Sequence, residues 1–109
     1  MPISPIDISN DQLQIVLDIL QKHLDERTRV WVFGSRAKGL AKKFSDLDLA
    51  IDAGKALSFD QLIDLENAFV ESDFAYKVDV VDMQNVKDSI FKKIIEERAV
   101  ELDWKLTAR

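Results

Sequence analysis

No cysteine occurs in the 109 residues, so neither a disulfide nor a thiolate metal site can contribute, and the lone histidine, His23, cannot build a histidine-rich one. Any bound metal must be a hard cation held by oxygen. No apolar run approaches the roughly 20 residues of a membrane span, and Met1-Pro2-Ile3-Ser4-Pro5 lacks the basic and apolar regions of a secretory leader. The expected location is the cytoplasm. Positive charge is also short: 15 basic residues against 20 acidic give a net charge of −5, the wrong sign for tracking a long phosphate backbone. Long nucleic acids and membranes are thus disfavoured as partners. No repeat, low-complexity stretch or linker interrupts a composition that is 47% hydrophobic and 32% charged. The chain reads as one domain, residues 1–109, with room for a single core and none for holding a bulky second substrate unaided.

Along the chain, Ser9 followed by Gln12 is a capping-box signal, and Leu13, Val16, Leu17, Leu20 and Leu24 recur at helical spacing, which predicts a helix over 10–25. His23 borders that stripe as a surface residue. Val30-Trp31-Val32-Phe33 predicts a short strand buried on both faces, with Trp31 in the core, and it stops at Gly34. Leu47, Leu49 and Ile51 alternate with Asp46, Asp48, Ala50 and Asp52, the period of a second strand. Ser58 with Gln61 opens a second helix running to about Ser72, Lys77 to Asp82 forms a third strand, and Val86, Ile90, Phe91, Ile94 and Ile95 mark a last helix over 85–98. The tail is ambiguous: Ala99 to Asp103 suits an edge strand, and Trp104 suits either packing or an exposed anchor. With a short turn or helix between the first two strands, the order is α-β-α-β-α-β-α. That order predicts an α/β (α+β) fold in which helices flank a small mixed sheet, with the first two strands antiparallel and the second and third parallel.

The chemistry is concentrated between residues 34 and 48. An apolar strand ends at Gly34-Ser35, ten residues follow, and then come Asp46-Leu47-Asp48. A glycine turn offers backbone N–H groups to phosphate oxygens, and two carboxylates on one face of a strand can hold divalent cations against those phosphates. Arg36, Lys38, Lys42 and Lys43 lie between the two, a local cationic rim that suits a triphosphate. Position favours Arg36 and Lys38, which follow the turn at once, while Lys42 and Lys43 read as solvated loop. Asp79, interrupting the apolar run Val78, Val80, Val81, is the candidate third carboxylate, since a charge buried there needs a compensating cation. Asp82 is the runner-up, better suited to capping a strand end, and Asp52 is left out. Asp46, Asp48 and Asp79 therefore form an expected catalytic and metal-binding set for two magnesium ions, serving in-line attack at an α-phosphorus.

Phe33-Gly34-Ser35, the ten-residue spacer and Asp46-Leu47-Asp48-Leu49 resemble the pattern of the nucleotidyltransferase superfamily that includes DNA polymerase beta. The short chain, with Gly-Ser-Arg-Ala-Lys-Gly and Ser-Asp-Leu-Asp-Leu, is similar more specifically to the minimal nucleotidyltransferases. The resemblance implies a mixed sheet flanked by helices, magnesium on Asp46, Asp48 and Asp79, and the triphosphate of ATP on Gly34 and Ser35, with Arg36 as a further contact. It also implies transfer of a nucleoside monophosphate to a hydroxyl and pairing with a helical HEPN protein. In such pairs the partner is a ribonuclease toxin and the nucleotidyltransferase is the antitoxin that adds AMP to its tyrosine. Two other readings stay open: a binding-only antitoxin that occludes its partner, and a homo-oligomeric enzyme acting on a small molecule such as an aminoglycoside.

Overall fold

Ser9, extended at φ −69° and ψ 161°, accepts the amide N–H of Gln12 on its hydroxyl and so opens helix α1, Asn10–His23. The computed structural model of the chain describes residues 6, 8–34, 36 and 46–105. Leu13, Val16, Leu17 and Leu20 are buried as their spacing predicts, and the helix ends at Leu24, where the backbone turns extended. Strand β1, Arg29–Phe33, runs antiparallel to β2, Leu47–Asp52, with Arg29 opposite Asp52 and Phe33 opposite Asp48. A complete capping box, Ser58 with Gln61, starts helix α2, Phe59–Glu71, which carries the chain across to β3, Val78–Asp82, parallel to β2. Strand β4, Val100–Leu102, pairs antiparallel with β1, so the sheet order is β3-β2-β1-β4. The ambiguous tail thus contains the edge strand, and the element order closes on a strand. The turn or short helix expected between β1 and β2 lies outside the described residues.

The period-two alternation sorts the side chains into two layers. Val30, Val32, Leu47, Leu49 and Ile51 are fully buried on one face, beneath Val16 and Leu20 of α1 and Leu65 of α2. The opposite face carries Arg29, Trp31, Phe33, Asp48, Ala50 and Asp52, and a smaller cluster of Ala50, Met83 and Ile95 packs there with Trp31, Phe33 and Phe91. Among the described residues one α-helix and a short 3-10 helix cover this second face. Trp31 is consequently half-buried rather than fully in the core, with the Arg29 guanidinium carbon 4.9 Å from its ring centroid. Arg29 also donates two hydrogen bonds to Glu101, at 2.8 and 2.9 Å, which ties β4 to β1.

The last helix departs from the pattern read off the sequence. It comes in two pieces: a short 3-10 helix, Met83–Asn85, capped by Asp82, and α3, Ser89–Arg98, capped by Asp88. Asp88 accepts from the amides of Ile90 and Phe91, so its carboxylate offers those donors an alternative to a continuous helix, and Val86 belongs to the link.

Trp104 is a packing residue, 3% exposed within the main core. Its indole Nε1–H donates to the Thr28 carbonyl at 3.0 Å, and its own carbonyl accepts from Gln21 Nε2 at 2.9 Å. Trp104→Ala should therefore cost about 3–5 kcal/mol in urea unfolding, the scale of a large aromatic removed from a core. Trp104→Phe should cost less and leave the Thr28 carbonyl without its indole donor.

Candidate active site

The antiparallel register sets Asp48 beside Phe33, the last residue of β1, and the chain then turns at Gly34. Gly34 has φ +78°, in the left-handed region that side chains disfavour, and a Cβ there would collide with the Asp48 carboxylate, standing 3.3 Å from its Cγ. Glycine is required twice at this point, once for the backbone and once for the neighbour. The bare backbone of the turn and a carboxylate of the Asp-x-Asp pair are thereby in contact.

The parallel register places Asp79 directly beside Asp48 on the same face of the sheet. Asp46 stands two residues before Asp48, just ahead of β2, so the period directs it to that face as well. The Asp48 carboxyl is held above its ordinary range first by partial burial, then by the charges of Asp79 and Asp46. Asp48 thus feels the charge of both other carboxylates.

Asp79 arrives by a different route from the one its sequence context suggests. Strand β3 lies at the sheet edge and is half-buried along most of its length, so the Asp79 side chain is 47% exposed. Its place in the set rests on register rather than on a buried charge. It faces Lys77 Nζ at 3.7 Å, a neighbour two positions away on the same face, which the period could have foretold. Among the described residues no three acidic or histidine side chains converge tightly enough to grip an ion as they stand. The donor set nevertheless fits one: it is all oxygen and anionic, burial followed by like charges raises the pKa of its central member, and a hard divalent cation would relieve that like-charge repulsion.

The runner-up, Asp82, is three residues from Asp79 and therefore on the opposite face. It is 6% exposed, accepts from the Leu57 amide at 2.8 Å, the Gln84 amide at 3.1 Å and Asn85 Nδ2 at 3.2 Å, and so is a structural cap. Asp52, at the far end of β2, accepts from the Gly54 amide and from Gln84 Nε2, and those bonds lower its pKa. Of the expected phosphate contacts, Gly34 stands at the turn, while Ser35 and Lys38 lie outside the described residues. Arg36 is 3% exposed, its guanidinium carbon 3.8 Å from the Tyr76 ring centroid, which puts it beneath the surface rather than on a rim. Sequence reasoning passed over Tyr76, although the alternation of Phe74 and Tyr76 ahead of an apolar strand signals two rings on one face. His23 is exposed at the end of α1.

Two outcomes follow from this geometry. Gly34→Ala should cost at least about 1–2 kcal/mol in chemical unfolding for the left-handed backbone alone, with the Asp48 collision added. Because folding raises the Asp48 pKa, ionised Asp48 destabilises the native state above that raised value, and the penalty vanishes below the ordinary value of 3.8. Asp48→Asn should therefore melt higher than the parent in EDTA at neutral pH and lose that advantage as the pH falls below 3.8.

The family described as Polymerase beta, Nucleotidyltransferase matches residues 14–101. The chain is 43% identical over 100 residues to a probable protein adenylyltransferase MntA of Haemophilus influenzae, covering 92% of this chain and 86% of that protein. It is 31% identical over 90 residues to protein adenylyltransferase MntA of Thermococcus cleftensis, covering 80% and 90%. A solved toxin–antitoxin with AMP-PNP shares the fold with a TM-score of 0.68 at 19% identity, over 81% of this chain and 69% of that one. A mutant of the MntA–HpeT toxin–antitoxin also gives 0.68, at 20% identity, over 87% and 72%. A mixed four-stranded sheet, a glycine turn against Asp48 and relatives of this closeness identify the chain as a member of the polymerase beta-type nucleotidyltransferase family.

Proposed function

We propose that the chain is an antitoxin that transfers AMP from ATP to a tyrosine hydroxyl of a HEPN-type toxin in the cytoplasm, and that residues 1–109 act as one nucleotidyltransferase domain. The observation that carries this reading is Asp48, packed against the Gly34 backbone on one side and in register with Asp79 on the other. That arrangement brings a phosphate-binding turn and a set of carboxylates to one end of the sheet.

Gly34 and Ser35 bind phosphate oxygens, with Arg36 and Lys38 adding positive charge. Asp46, Asp48 and Asp79 would hold two magnesium ions, which when bound would supply charge neutralisation at phosphate oxygens and acidify a hydroxyl. The acceptor oxygen bonds to the α-phosphorus as the α–β phosphoanhydride bond breaks and pyrophosphate leaves. The hydroxyl proton passes to Asp79, whose half-exposed carboxylate stands at the open edge of the sheet. The relatives' description as protein adenylyltransferases supports a protein as the acceptor.

Incubation with magnesium, α-labelled ATP and the co-purifying partner should transfer label, with the partner's intact mass rising by one or more AMP units. EDTA should stop the transfer. Asp46→Asn combined with Asp48→Asn should lower it by a factor on the order of 10³, the scale of several kcal/mol of metal-assisted stabilisation. Transfer that persists in the double variant refutes the site. An unchanged partner mass together with retained neutralisation identifies inhibition by occlusion.

A further inference from the structure

Tyr76 stands two residues before β3 and is anchored from several sides. Its ring meets Phe74 edge-on, with centroids 5.5 Å apart and planes at 83°, and Phe74 meets Phe69 of α2 at 6.1 Å. Phe69 and Phe74 are buried in the main core. The amide of the preceding residue, Ala75, donates to Gln12 Oε1 of α1 at 2.8 Å, and the carbonyl of the following residue, Lys77, accepts from the Leu47 amide at 2.8 Å. The ring is therefore a fixed platform, attached to α1, to α2 and to the start of β2 between Asp46 and Asp48.

On that platform lies the guanidinium of Arg36, 3.8 Å from the ring centroid and almost wholly withdrawn from water. A guanidinium taken out of water is costly unless its charge finds partners, and the face of an aromatic ring supplies one whose worth grows with desolvation. Arg36 is two residues beyond Gly34, so fixing its side chain limits where the turn can stand. Tyr76, Lys77 and Asp79 also line one groove of about 570 Å³, which puts the platform next to the carboxylate on the open side of the site.

We infer that Tyr76 is a positioning residue: its ring holds Arg36, and through Arg36 the Gly34 turn, in the conformation that receives the nucleotide's phosphates. This rests on the nucleotidyltransferase reading above and adds a residue that neither the motif nor the carboxylate set contains. A leucine at 76 would fill similar space without a π face, whereas a phenylalanine would keep the face and lose only the hydroxyl.

Steady-state transfer is measured against ATP concentration for Tyr76→Leu, Tyr76→Phe and the parent, with melting temperatures alongside and binding of a non-hydrolysable ATP analogue with magnesium read separately. Y76L should raise the KM for ATP and weaken analogue binding on the order of tenfold, the scale of one desolvated cation–π contact, while kcat changes far less. Y76F should restore both to the parental level. In an Arg36→Ala background Y76L should have little further effect on analogue binding, because the two substitutions break one contact. A parental KM and analogue affinity in Y76L, or an equal loss in Y76L and Y76F, overturns the inference. So does a Y76L effect that persists in full without Arg36. A parent that binds the analogue but transfers no label to any partner counts against the proposed acceptor, and the role of Tyr76 is then decided by the binding measurements.

Discussion

The antiparallel register of β1 and β2 is the constraint on which the site depends. With Phe33 opposite Asp48, the strand that ends at Gly34 delivers its turn against the carboxylate, and Leu47, Leu49 and Ile51 fall on the face that α1 and α2 bury. A slip of one residue would exchange the two faces, sending Asp46 and Asp48 into the core and three large aliphatic side chains to the thinly covered side. Burial of the aliphatic set therefore fixes the position of the acidic one. The hydrophobic effect does the electrostatic placement.

A second consequence concerns the balance between stability and chemistry. Asp48 is kept partly out of water beside two other carboxylates, an arrangement that disfavours its charged form and works against folding. The deficit is offset elsewhere by residues with no part in the chemistry. Asp82 and Asp88 cap short helices, the Arg29–Glu101 pair links two strands, and Trp104 closes the core over Thr28. Aspartate thus serves in two opposite ways in one small domain: at Asp82 and Asp88 backbone amides converge on the carboxylate, and at Asp48 burial and neighbouring carboxylates disfavour the charge.

Much of this was legible in the chain. Alternation in Leu47 to Asp52 gave the strand and its faces, Ser58 with Gln61 gave a helix start, and the strand directions followed from connection lengths. The misreadings share a cause, which is that tertiary cover cannot be read from a local pattern. Asp79 sits in an apolar run that suggests burial, yet β3 is an edge strand and the side chain is half exposed. Trp31 looks like core and is half-buried, because among the described residues one α-helix and a short 3-10 helix cover its face. Val86 fits a helical stripe, but the Asp88 carboxylate starts the helix three residues later. Arg36 follows the turn as a solvent-facing contact would, and only the folded chain brings Tyr76 beneath it, forty positions along in sequence.

Strand β4 and Trp104 carry a consequence for the order of assembly. Every residue assigned to the site lies between Gly34 and Asp79, so a chain growing from its N-terminus holds all the chemical groups before the sheet can be completed. Until residues 100–104 emerge, β1 has one unpaired edge, and the Thr28 carbonyl lacks its indole donor. Synthesis of the motif thus precedes cover of this edge, and until β4 pairs with it β1 is open to pairing with another chain.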